Sequence, residues 1–152
     1  MTNSRVAFSM IELIFVIVVI GILAGIAIPK LASSRDDAKI IKARTTLAAV
    51  RGAIGAEKQK RILKGDFTAI TDLGSTGSYA FSTFNKDNDG AGTANDVLQY
   101  PQKSCDTGAK GCWKRDSSIS YTFVLPGSMG SATFELKDNK LSCKSGSCSK
   151  LE

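Results

Sequence analysis

From Phe8 to Ile28 almost every position is apolar, and Glu12 is the only charged residue among the nineteen from Met10 to Ile28. A segment that is hydrophobic all round has no solvent face, so as a helix it needs lipid or a protein lattice around it. At about 1.5 Å per residue it spans roughly 30 Å, the thickness of a bilayer core. Gly21, Gly25 and Pro29 interrupt it. They weaken a helix in water, but the lack of competing water in lipid lets it hold. After Pro29 the pattern turns amphipathic. Ile40, Ala43, Leu47, Val50 and Ile54 recur at 3-4-3-4 spacing, one stripe of a helix, with Arg44, Arg51, Lys58 and Arg61 off it. Lys60, Arg61 and Lys64 stand where cations suit the helix dipole, and Gly65 is the expected C-cap. The pattern predicts one long helix over 8–64. Its stripe lasts about two heptads, too short for a coiled coil.

Residues 66–84 mix Gly, Ser and Thr with scattered apolar positions and read as a connecting loop, with a short strand near Tyr79–Phe84. Period-two alternation comes late. In Ser118–Leu125, Ile119, Tyr121, Phe123 and Leu125 alternate with Ser120, Thr122 and Val124; in Ser131–Lys137, Ala132, Phe134 and Leu136 do the same. Lys137–Lys140 reads as a turn and Lys140–Lys144 as a further strand. The expectation is an α+β chain: one long helix whose second half packs on an antiparallel meander of three or four strands, the other face of the sheet solvated.

Composition changes this picture in two places. All four cysteines, Cys105, Cys112, Cys143 and Cys148, lie in the last third, and there is no histidine. Their spacings are not those of a CxxC metal site, and an even number in a polar, loop-rich region behind an apolar segment points to disulfides outside the cytoplasm. Four cysteines allow three connectivities; local pairing, Cys105–Cys112 and Cys143–Cys148, is favoured and a long-range pairing stays open. The net charge of +6 is spread along the chain, with no basic block longer than Lys58–Arg61, which a solvated helix face explains. The absence of histidine, nucleophile elbow, phosphate loop or acid–base pair argues against an enzyme.

Glu12 is the costly residue, since a carboxylate at a bilayer centre costs about 2.5–3.5 kcal/mol on insertion scales. The basic leader Met1–Ala7, then Phe8-Ser-Met-Ile-Glu12-Leu, a pure aliphatic run and Pro29 at its end together resemble the signal of type IV pilins and type II secretion pseudopilins. The resemblance covers about a quarter of the chain. It implies that a prepilin peptidase cuts between Ala7 and Phe8 on the cytoplasmic side and methylates the Phe8 amine; Ala7 stands where the family usually has Gly. Charge alone, with Arg5 before the run and Lys30, Arg35, Lys39, Lys42 and Arg44 after it, would have suggested the opposite orientation. It implies a pilin-like fold and a single-pass inner-membrane protein with its head in the periplasm, later polymerised into a periplasmic or extracellular homo-oligomeric filament. There Glu12 would meet the Phe8 amine of a neighbour, and Pro29 would match the family's helix-kinking proline. An inner-membrane platform protein and an assembly ATPase would be partners. The expected organisation is a leader over 1–7, a membrane or filament-core helix over 8–29, an amphipathic helix over 30–64 and a disulfide-rich head over 65–152. Many pilins use a long-range disulfide to fasten the C-terminal end.

Two further sites are candidates. Asn85–Asp96 places oxygen ligands at Asn85, Asp87 and Asp89, Gly90 at the sharp turn, the Ala91 carbonyl, then Thr93 and Asp96, the order of a twelve-residue Ca²⁺ loop. It starts with Asn, ends with Asp and lacks flanking amphipathic helices; the simpler reading is an Asn/Asp/Gly turn. Secretion pseudopilins often carry Ca²⁺ in this half of the head, so the resemblance favours calcium. In Lys110–Arg115, Trp113 lies between cations and could stack a base. That is the alternative function, a minor pilin binding DNA, although such a tryptophan more often fills a small core.

Overall fold

A computed structural model describes residues 9–74, 79–85 and 95–152. Its elements are α1 (Met10–Leu63), β1 (Tyr79–Ala80), β2 (Gln102–Lys103), β3 (Cys112–Arg115), β4 (Ser120–Val124), β5 (Ser131–Lys137), β6 (Lys140–Gly146) and a 3-10 turn at Cys148–Lys150. The chain divides into two units, Met1–Arg35 and Asp36–Glu152, and α1 contributes to both. The layout is α+β, as the hydrophobic pattern predicts.

In the first unit α1 has no core to join. Met10, Ile11, Leu13, Phe15, Ile22 and Ile28 are all exposed, as are the other large apolar residues between them. This is one helix long and apolar enough to cross a membrane. Pro29 lies inside α1.

In the second unit the stripe behaves as its spacing requires. Ala43, Leu47, Val50 and Ile54 are buried, with Ile40 partly buried beside them. The helix ends in a Schellman motif: the Gly65 N–H reaches the Ile62 carbonyl at 3.0 Å and the Asp66 N–H reaches the Arg61 carbonyl at 2.9 Å. Gly65 has φ +76°, which costs glycine little and any other residue more.

The stripe meets a four-stranded antiparallel meander in the order β3-β4-β5-β6. Facing residues pair across it, Trp113 with Phe123, Tyr121 with Phe134 and Leu136 with Leu141. All six are buried in one cluster with the stripe. The opposite face is polar, with Thr122 and Thr133 hydroxyls 2.8 Å apart and Lys144 on Glu135 at 2.6 Å. The β5–β6 turn puts Asp138 and Asn139 at positive φ, 51° and 56°, the type I′ pattern that Asp and Asn tolerate. β5 has the predicted bounds, whereas Ile119 stays 40% exposed just before β4 begins.

Two elements depart from expectation. β3 lies where the hydrophobic pattern predicts no strand; Lys114 and Arg115 hide one only four residues long. The strand expected over Tyr79–Phe84 stops after Ala80, because Phe81 takes φ 62° and turns inward. Its fully buried ring stacks on Tyr121 at 4.9 Å and meets Trp113 edge-on at 5.1 Å. An aromatic residue in left-handed conformation is costly, and this ring's burial is what compensates.

Asp72 fastens the loop after the helix onto the sheet. Its carboxylate accepts from Arg115 at 2.8 Å and from the Gly74 N–H at 2.9 Å. The Tyr121 hydroxyl accepts from the Leu73 N–H at 2.9 Å and donates to the Ser118 carbonyl at 2.9 Å or to Asp72 at 3.2 Å. The hydroxyl is pushed up from 10.0 to about 12, first by burial; the Leu73 hydrogen bond works against this and the Asp72 charge adds to it. The folded value lies above the unfolded one. The neutral phenol therefore favours the fold below pH 10, and that stability drains away as pH climbs from 10 through about 12. In urea titrations followed by circular dichroism across that window, the midpoint of the natural protein should fall more steeply than that of Tyr121→Phe.

Candidate functional site

The chain's chemistry divides among an apolar helix start, a polar loop and two disulfides. At the helix start the Ser9 Oγ accepts from the Ile11 N–H at 3.2 Å, and the Ser9 carbonyl accepts from the Leu13 N–H at 3.2 Å. Ser9 is thus the N-cap, and Glu12 stands three residues on, the spacing of a capping box. A carboxylate there also suits the positive end of the helix dipole. Among the described residues Glu12 has no ion-pair partner. Ala7 and Phe8 lie outside the described residues.

Of the candidate calcium ligands, Asp87, Asp89, Ala91 and Thr93 also lie outside the described residues. The two ends, Asn85 and Asp96, are described. The Asn85 side chain faces the loop after the helix, its Oδ1 accepting from the Thr71 N–H at 2.8 Å and its amide donating to the Ala69 carbonyl at 3.1 Å. One lone pair of that oxygen is therefore committed. Asp96 bridges Thr83 through the backbone. Among the described residues no group of three His, Cys, Asp or Glu side chains converges.

What holds the two ends of this loop is a charged pair that the hydrophobic pattern did not reveal. Arg61 was expected off the helix stripe, near the helix end as a solvated cation. It is instead 2% exposed, and Glu57 is 5% exposed. Positions 50, 54, 57 and 61 continue the 3-4 spacing, so the stripe runs on with charged residues in place of apolar ones. Arg61 Nε donates to Glu57 at 3.0 Å, and another guanidinium N–H donates to the Asn85 carbonyl at 2.5 Å. On the far side Asn95 donates to both Glu57 oxygens at 3.3 Å and accepts from Lys60 at 2.8 Å. The ends also pair with each other, the Phe84 N–H on the Asn95 carbonyl at 2.8 Å and the Val97 N–H on Ser82 at 2.9 Å. The last turns of α1 therefore fix where this loop leaves and returns.

The cysteines pair locally, Cys105 with Cys112 and Cys143 with Cys148. The first bridge closes the loop leading into β3. The second ties β6 to the 3-10 turn at the C-terminal end. Trp113 does not stand ready to stack a base. It is 3% exposed, its ring 5.3 Å from Phe123 and 5.7 Å from Phe134. Arg115 is tied to Asp72, and the two exposed lysines of that stretch are held as well, Lys110 by the Gly127 carbonyl and Lys114 by Asp116 at 3.2 Å. The stacking role suggested for Trp113 is overturned by its burial.

The chain matches no family model, no curated protein and no solved structure.

Removing one partner of a buried ion pair strands the other, at a cost of about 3–5 kcal/mol, whereas replacing both with apolar residues of similar volume is often far milder. Arg61→Ala should therefore unfold at clearly lower urea than the natural chain, and Glu57→Leu/Arg61→Met should recover most of the loss.

Proposed function

We propose that this protein is a structural subunit of a filament of the type IV pilus or type II secretion pseudopilus kind. One observation carries the reading: a helix start whose large apolar residues are all exposed, with a single carboxylate, Glu12, in its first turn. That surface needs lipid before assembly and other helices afterwards, and the carboxylate needs a cation in either place. The leader and the residues around Phe8 resemble the prepilin signal, which would supply such a cation as the methylated Phe8 amine of a neighbouring subunit. At an effective dielectric of about 20, unit charges roughly 4 Å apart attract by about 4 kcal/mol before desolvation is charged against them. The pair selects register as a subunit leaves the bilayer. The two disulfides agree with a head outside the cytoplasm. Prepilin peptidase, platform protein and assembly ATPase are the partners this reading entails. Pro29, which gives the backbone ladder no N–H, is where the helix would stretch in the filament.

The reading includes a Ca²⁺ site between Asn85 and Asp96, supported by ligand order in the sequence and by the fixed ends of the loop. Chelator should then lower the melting temperature of the natural chain, and Asp87→Ala and Asp89→Ala should abolish the response to added calcium. A melting curve indifferent to both removes calcium from the account.

The decisive measurement is mass spectrometry of the N-terminal peptide in filaments sheared from intact cells. A peptide beginning at N-methylated Phe8 is expected, and Glu12→Ala should leave the membrane-inserted subunit abundant while cutting filament yield on the order of tenfold or more, the equivalent of losing about 1.4 kcal/mol per contact. The same peptide found only in the envelope would assign the subunit to a pseudopilus. A chain that keeps its leader intact everywhere would return the segment to an ordinary membrane anchor.

A further inference from the structure

The two disulfides stand in different surroundings. In Cys143–Cys148, Cys143 is exposed, but Cys148 is buried and its Sγ lies 3.4 Å from the Ser145 carbonyl oxygen. A thiolate released at Cys148 would be desolvated and would face the negative end of a peptide dipole, both of which raise a thiol's pKa. In Cys105–Cys112 both residues are half-buried. Cys105 lines a cavity of about 370 Å³ together with Lys110, Lys114 and Asp106. Cys112 lines a smaller cavity of about 140 Å³ between the second half of α1 and strands β2 and β3, where the charged side chains are Lys39, Lys42 and Lys103. The Lys39 stem lies against Gly111, the residue before Cys112; Gly111 sits at φ +76°, and a Cβ there would collide with that stem. A neighbouring cation lowers a thiol's pKa, and a thiol of lower pKa leaves faster in exchange.

The Cys105–Cys112 bridge is also backed by bonds that do not need it. The Cys105 N–H donates to the Trp113 carbonyl at 2.8 Å, and the Gly111 N–H donates to the Val124 carbonyl at 2.7 Å. All four residues of β3 pair with β4, Cys112 opposite Val124. With the S–S bond open, these contacts and the buried Trp113 would still hold β3 in its sheet.

We infer that Cys105–Cys112 is a thiol–disulfide exchange site, opened and reclosed by a small thiol while the head stays folded. The thiolate of the incoming molecule attacks Sγ of Cys105 from the larger cavity. The S–S electron pair leaves with Cys112, which takes up the proton the attacking thiol has lost. A second molecule of the thiol attacks the mixed disulfide at its non-protein sulfur and releases Cys105 as a thiol. Two thiols are thereby oxidised to one disulfide, and the bridge is reduced to two cysteines; the reverse sequence recloses it. A cavity of this size suits a small molecule, and its two lysines favour a thiol that carries carboxylates. The inference depends neither on filament assembly nor on processing at Phe8.

The test uses the full chain in zwitterionic detergent micelles with glutathione as the thiol. Samples are quenched in acid at intervals, free thiols are alkylated, and peptides are mapped by mass spectrometry, while far-UV circular dichroism follows the fold. Cys105–Cys112 should open about tenfold faster than Cys143–Cys148 with the dichroism unchanged. The early glutathione adduct should sit on Cys105, and oxidised glutathione should restore the bridge. Lys39→Ala alters an exposed side chain and should slow the opening about threefold. Opening only as the dichroism is lost, equal rates at the two bridges, or an early adduct on Cys112 would each overturn the inference.

Discussion

The stripe formed by Ala43, Leu47, Val50 and Ile54 is the surface on which the second unit is built. It is too narrow to hold a helix in water by itself, because helical stability in proteins comes mostly from packing one face. The covering is aromatic. Trp113, Tyr121, Phe123 and Phe134 project from one face of the meander into the same buried cluster, and Phe81 turns through a left-handed backbone to join them. Asp72 then acts from outside the cluster, drawing Arg115 and the loop after the helix onto the sheet. Arg51 does the same on the other edge, with its Nε on the Leu141 carbonyl at 2.9 Å and its guanidinium 5.9 Å from the Phe134 ring centroid. The polar contacts ring the aromatic packing and set its orientation.

Legibility followed the strength of periodicity. β5, β6, the turn at Asp138–Asn139, the helix stripe and the Gly65 cap could be read because each imposes a repeat or a special backbone angle on particular residue types. Cys112–Arg115 could not, since four residues are too few for alternation to show and two of them are cations. Phe81 could not, because its backbone angle is dictated by where its ring must go. Arg61 is the instructive miss. Its spacing belonged to the stripe, but its charge argued for solvent, and the argument from charge loses where a carboxylate four residues away lies on the same face. For the candidate site, the cysteine pairing was readable only as a preference among three, and Trp113 could be read as stacking platform or core residue because neighbouring lysines in sequence say little about which face of a strand a side chain takes.

The lysines around the small cavity illustrate the same limit. Lys39 and Lys42 look like ordinary solvated cations on a helix, and Lys103 lies far away in sequence. Only the fold brings them beside one buried indole, and only Gly111 lets the Lys39 stem lie across the disulfide loop. Charge repulsion among three exposed ammonium groups is modest in water.

The two glutamates of α1 show how one helix can serve two environments. Glu57 is buried and answered within its own chain, by Arg61 one turn on and by Asn95 across the loop. A carboxylate satisfied in this way adds nothing to association, because its partner is already present in the monomer. Glu12 lies in a unit that has no core and, among the described residues, no ion-pair partner. Its surroundings are apolar residues that water will not cover cheaply. The more apolar the surroundings, the more a carboxylate gains from a cation or from the positive end of its helix, the end at which Glu12 stands. Internal pairing thus helps fix the fold of the second unit, whereas among the described residues of the first the carboxylate of Glu12 is met only by the start of its own helix.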